Sequence, residues 1–360
     1  MKGLDMNIAK RILAGTAGIA VSLLGVAVAA TYVMAMLATV PSLGKLAQLS
    51  GPSRLVADNA PPSWWDKLAL GSDQIFASAK PRNVVLMVAP RDRQQLQSHF
   101  AALDYALPVA GAPDEARNEV PRLYLRSLPR DLAEGDSTWD RKSDFFRVML
   151  PLVLAGNEKI LADRKRVEKF AGQVLSGGNL YAVNKSWVIS LAAEYGLDNF
   201  DPKNGDWQEL LRRVDTVPVS LALAQAALES GWGTSRFAQQ GNAVFGQVSW
   251  RPGSGLIQTG RAPGENHEVR SFSTLSDCVN AYLHNLNTHR HYAKFRNQRA
   301  NLRARGQAPS GVALVKYLDR YSILGKKYID EIRGIIETNL LQEMDAARLR
   351  PATPAGFTFS

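Results

Sequence analysis

The string Leu221–Gly246, LALAQAALESGWGTSRFAQQGNAVFG, ends an apolar run on one carboxylate, Glu229, and follows it with Trp232 between two glycines. At the last turn of a buried helix a carboxylate faces the negative end of the helix dipole and has little water around it, and both effects favour its protonated form. A glutamic acid that keeps its proton near neutral pH can protonate a leaving oxygen, the general-acid step of glycosidic bond cleavage. Trp232 adds a flat face on which a sugar ring can stack. Taken singly, a helix-end glutamate is usually solvated and an isolated tryptophan usually belongs to a core. Their combination points to a glycan site.

The element that must present Glu229 is legible in the same stretch. Pro218 suits a first helical turn, where its missing N–H costs nothing, and the uniformly apolar run Val219–Leu228 predicts a helix buried on all sides. Gly231 supplies a left-handed residue to stop it, and Gly233 lets the backbone pass close to a ligand. Downstream, Val279, Tyr282, Leu283 and Leu286 share one face of a helix over Leu275–Leu286. Tyr282 therefore points inward with a hydroxyl in need of a partner: the substrate's N-acetyl group, a catalytic carboxylate or a backbone carbonyl. Phe245 either walls the cleft or fills the core.

Three stretches carry a resemblance. The segment AQAALESGWGTSRFAQQGNAVFG, the later helix DCVNAYLHNLNTHRHYAKF from Asp277 to Phe295, and FFRVMLPLVLAGNEKILADR from Phe145 to Arg164 resemble the glucosaminidase domains of glycoside hydrolase family 73, in particular their Bax-type branch. The likeness covers residues 140–345, a domain-sized piece. It implies a mainly α, lysozyme-like catalytic domain with a short β-hairpin, acting on peptidoglycan without a cofactor. Glu229 is then the catalytic acid, Tyr282 lies in the cleft, and Trp232, Phe245, Asn242 and Tyr292 bind substrate. Where many relatives have Asn-Asn-Leu-Phe-Gly, this chain has Gly241-Asn242-Ala243-Val244-Phe245-Gly246, which keeps the turn and shrinks the wall.

The second catalytic group of such enzymes lies in a variable hairpin, and Glu265 and Glu268 are the candidates between Ala262 and Phe272. Glu268 is the better placed of the two, on a strand-like stretch from His267 to Phe272, whereas Glu265 follows the Pro263-Gly264 turn. An inverting enzyme needs that carboxylate far enough away to hold a water, a retaining one needs it closer, and substrate assistance dispenses with it. A lytic transglycosylase using Glu229 as both acid and base is the alternative among enzymes, and a non-catalytic glycan-binding module is the alternative outside them.

The rest of the chain sets the context. With 360 residues and 46% hydrophobic content it can bury a substantial core. Residues 12–40 carry no charge, follow Lys10 and Arg11, and exceed the roughly 20 residues that span a bilayer. They read as an anchor whose basic flank, residues 1–11, stays cytoplasmic and places the remainder on the periplasmic side; a cleaved signal is the alternative. A linker over 41–65 and a small mixed α/β region over 66–138 then precede the catalytic domain, and 346–360 form a tail. Cys278 is the single cysteine, so the chain has no internal disulfide and the residue reads as core. His284, His289 and His291 lack carboxylate or cysteine company at metal-ligand spacing. The net charge of +10 concentrates at Lys294, Arg296, Arg299, Arg303 and Arg305, read as a solvated helical face. Export and the lack of a stacking motif argue against nucleic acid as a partner. Oligomeric state is not legible.

Overall fold

The computed structural model describes residues 85–108, 118–135, 137–258 and 267–352. The expected anchor, the linker and Glu265 lie outside these residues. Among the described residues no helix is long and apolar enough to cross a membrane.

The described structure is mainly helical, as expected. Its helices are α1 (Arg93–Ala102), α2 (Thr138–Leu175), α3 (Ala182–Glu194), α4 (Trp207–Arg213), α5 (Val219–Ser230), α6 (Arg236–Gly241), α7 (Leu275–Thr288), α8 (Ala293–Ala304), α9 (Gly311–Leu314) and α10 (Lys326–Thr338). The strands are short: β1 (Leu86–Val88), β2 (Glu119–Val120), β3 (Leu123–Leu125), β4 (Val248–Ser249), β5 (Gly255–Leu256), β6 (Glu268–Arg270) and β7 (Arg348–Leu349).

Helix α5 is the axis of the fold. Its apolar residues are buried all round because α2, α9, α10 and the 3-10 turn Leu341–Ala346 surround it. Its N-terminus is held by Asp345, whose carboxylate accepts from the Ser220 amide and hydroxyl, both at 2.8 Å. An anion there complements the helix dipole. The long α2 runs alongside, capped by Ser137. It buries Phe145, Phe146, Met149 and Val153, and Asn157 ties it to Val217, just ahead of α5, through both of its amide groups.

The region expected as a separate small module is built into the same body. The described residues, from 85 onward, form one compact unit, with β1 pairing in parallel with β3, and α1 burying Leu96 and Phe100 in the common core. Arg93 of α1 pairs with the buried Asp144 of α2 at 2.7 Å, and β2 pairs in parallel with β7, near the other end of the described chain. A strand and one amphipathic helix cannot bury both faces alone, and α2 supplies the missing partner.

The basic run on α8 corrects the expectation of a solvated face. Arg296 and Arg299 are buried, and Arg299 donates to the carbonyls of Arg212, Asp215 and Thr216. Arg303 binds both carboxylate oxygens of the buried Asp215, at 2.9 and 2.7 Å. Three of the five basic residues expected on a solvated face are thus engaged by the rest of the fold.

Candidate active site

Glu229 occupies the last turn of α5, and Gly231, with φ of +56°, stops the helix as predicted. Burial pushes the Glu229 carboxyl up to about 7; a hydrogen bond from Tyr328 acts against that shift and the nearby Glu331 carboxylate adds to it. At neutral pH a substantial fraction of Glu229 therefore carries a proton, as a general acid must.

A group of tyrosines encloses this carboxyl. Tyr328, on α10, receives a bond of 2.7 Å from the side-chain amide of Gln225, one turn before Glu229 on α5. Tyr282, on α7, is fully buried and donates to the Oε1 of Gln225 at 2.7 Å. The inward orientation of Tyr282 holds, and its partner is an amide rather than any of the groups expected. Tyr321 donates to the Phe245 carbonyl at 3.1 Å and stacks on Tyr328 with ring centroids 5.6 Å apart. Burial holds the hydroxyls of Tyr282, Tyr321 and Tyr328 well above the ordinary tyrosine range, so each keeps its proton. Tyr292 is pushed up to about 12, chiefly by burial and further by the Glu229 charge.

One side of Glu229 is kept clear by Gly246. A Cβ there would stand 3.0 Å from Glu229 Oε2, and φ of +60° suits glycine. The next residue, Gln247, enters a polar groove of about 740 Å³ lined also by Arg270, Phe272, Asn280, His284 and Asn285. Amide and hydroxyl groups in a groove of that size are suited to a hydroxyl-rich ligand.

The structure thus brings Glu229, Tyr282 and Tyr292 together and places the other expected residues differently. Trp232 turns onto α2, where its ring meets Phe146 edge-on at 5.3 Å and Phe145 at 6.1 Å while Lys142 Nζ lies 4.6 Å above it. These contacts make Trp232, half-buried, a packing residue against α2. Gly233 has the same reason: a Cβ there would meet Leu128, Phe145 and Leu132 at 2.9–3.1 Å, so the close approach is to the core and not to a ligand. Phe245 is 1% exposed and stacks on Tyr282 at 3.9 Å, so it fills the core rather than walling a cleft surface. Asn242 ends α6 with φ of +51° and donates to the Phe272 carbonyl at 3.1 Å, tying that turn to the end of the hairpin.

Glu268 lies on β6, the central strand of the antiparallel sheet β4-β6-β5, so strand pairing is as predicted. It is buried, and its two oxygens accept from the amides of Gly253 and Gly255 at 2.9 and 2.8 Å. In this conformation it clamps the hairpin. Glu268→Gln replaces one of those acceptors with a donor facing a backbone N–H. We expect the hairpin to loosen, seen as faster amide exchange at Gly253 and Gly255, with a loss of about 1–3 kcal/mol in stability. For Trp232→Ala the expected loss is about 3 kcal/mol, near the low end for truncating a large aromatic because the ring is only partly buried. Glycan affinity of the remaining folded protein should be unchanged in that variant; weakened affinity with full stability would restore Trp232 to the cleft.

Sequence reasoning missed Gln225, Tyr321, Tyr328 and Glu331. Gln225 carried a signal, as the one long polar side chain inside the apolar run Val219–Leu228. The others lie far downstream and only the fold delivers them. Among the described residues no cluster of three metal-ligating side chains occurs. Cys278 is buried, where its thiol is pushed up to about 12 chiefly by desolvation.

Comparison with known proteins agrees with this geometry. A glucosaminidase family model, described as mannosyl-glycoprotein endo-beta-N-acetylglucosaminidase, matches residues 205–341, which include Glu229 and the tyrosines around it. Protein bax of Escherichia coli (strain K12) is 32% identical over 224 residues, covering 62% of this chain and 77% of the relative. The chain belongs to the Bax-type glucosaminidase family. No solved structure matches it. The match to the relative, 224 residues, is longer than the segment 205–341 that the family model covers. The domain is therefore that of a glycan hydrolase.

Proposed function

We propose that this protein is an endo-β-N-acetylglucosaminidase that cuts the β-1,4 bonds of N-acetylglucosamine in peptidoglycan, with Glu229 as general acid. The observation that supports this reading is the raised carboxyl of Glu229 at the end of α5, among tyrosines that stay protonated. Glu229 gives its proton to the glycosidic oxygen as positive charge builds on the anomeric carbon, and the polar groove running from Gln247 holds the glycan. Tyr282 and Tyr292 shape the pocket around the acid and do not themselves move protons. We further propose that residues 12–40 anchor the chain in the cytoplasmic membrane with the domain on the periplasmic side. Full-length protein should then resist extraction from membranes by carbonate.

The engagement of Glu268 by two backbone amides favours a second reading in which no further carboxylate acts. Glu229 then works either with the substrate's own N-acetyl group or as acid and base in a lytic transglycosylase. Mass spectrometry of purified peptidoglycan after digestion separates these. Free reducing N-acetylglucosamine ends support the hydrolase, anhydro-muramic ends support the transglycosylase, and intact glycan with measurable binding supports a binding module.

A further inference from the structure

Trp250 stands directly after β4 and is 76% exposed, unlike Trp232, which packs on α2. Strand geometry says which way it faces. Val248 pairs with Val269 and Ser249 with Glu268, and the same register carried one step further sets Trp250 opposite His267. The two rings do meet there, with centroids 5.5 Å apart and planes tilted by 56°. Side chains alternate along a strand, so Trp250 shares a face with Val248, about 7 Å along. Val248 is itself 48% exposed, and it lines the polar groove to which Gln247, Arg270, Asn280 and Asn285 also contribute.

A tryptophan stabilises a fold by burying its ring, and an indole left this open contributes little. Single exposed apolar residues are ordinary; this one extends the apolar edge of a groove whose other lining groups are amides and charges, an arrangement suited to a ligand with both kinds of surface. A pyranose ring has such surfaces. Its C–H face matches an indole, and its hydroxyl and N-acetyl groups match the side-chain amides of Gln247, Asn280 and Asn285. We propose that Trp250 is a substrate-binding residue at the rim of this groove, where its indole, flanked by Val248, stacks on one sugar ring of the glycan strand. The inference rests on the reading of the domain as a glucosaminidase and adds a contact outside the surroundings of Glu229.

The test is the affinity for a soluble β-1,4-linked N-acetylglucosamine oligomer and for soluble peptidoglycan strands, measured by calorimetry in a Glu229→Gln background so that the probes stay whole. Trp250→Ala should weaken binding about 10-fold or more. Its thermal unfolding should stay where it is, because the ring is not part of the core. Trp250→Phe keeps a flat face and should lose less. Tryptophan emission gives an independent readout: the oligomer should shift it to the blue as an exposed indole is covered, and that shift should be largely lost in Trp250→Phe although this variant still binds. Unchanged affinity in Trp250→Ala, or no binding by any of these proteins, would overturn the inference. A changed oligomeric state at unchanged affinity would also overturn it and give this face to a second copy of the chain. If the parent leaves peptidoglycan uncut while Trp250-dependent binding holds, the catalytic reading fails and the stacking contact stands.

Discussion

Glu229→Gln should leave a folded protein that turns over peptidoglycan about 10²–10⁴-fold more slowly, since the amide matches the carboxyl in shape and has no proton to give. The parent enzyme should lose activity as pH rises through about 7, the value to which burial pushes this carboxyl. Stability provides a second readout with a definite sign. The folded state binds the Glu229 proton more tightly than the unfolded chain, whose ordinary value is 4.5, so stability falls as pH rises from there to about 7. Glu229→Gln removes that penalty. The variant should match the parent near pH 4 and exceed it above pH 7 by on the order of 2 kcal/mol, measured by denaturant unfolding across pH. A variant no more stable at pH 8 than the parent would mean that the carboxyl is not buried in solution.

The largest loss of stability is expected at Asp215→Ala. Asp215 is nearly inaccessible, and its carboxylate is met by Arg303, Arg299 and Arg164 at 2.7, 3.5 and 3.6 Å. Burial depresses the Arg299 guanidinium to about 10, and the Asp215 charge works against that loss. Without the carboxylate, buried positive charge stands uncompensated, at a cost of about 3–5 kcal/mol. Thermal unfolding of Asp215→Ala should show it, and Arg299→Met in the same background should recover part of the deficit by removing one of the stranded charges.

What was legible in the sequence was local. The apolar run and the glycine that ends it lie within one short string, so α5, its left-handed stop and the emergence of Glu229 at its end could all be read there. Alternation around Val269 likewise gave strand β6, and periodicity gave the inward face of Tyr282. What misled was the identity of neighbours brought by tertiary contact. Trp232 looks available until α2, far upstream, presents Phe145 and Phe146. The arginines of α8 look solvated until Asp215 and a set of unpaired carbonyls arrive beneath them. Glu268 looks like a free carboxylate until the turn residues Gly253 and Gly255 fold back onto it. Residue type predicted what each group needed and left open who would supply it.

The left-handed stretch after α5 bears on how firmly Glu229 is aimed. Gly231, Trp232 and Gly233 have φ of +56°, +60° and +78° in succession, and the central one is a bulky residue for which that conformation costs about 1–2 kcal/mol. The cost is offset only where the Trp232 ring seats on α2. Without that seat the bend has nothing to hold it, and the end of α5 that carries Glu229 loses its fixed direction. The direction in which Glu229 leaves α5 is therefore tied to the packing of Trp232 on α2, a contact made about 90 residues back along the chain.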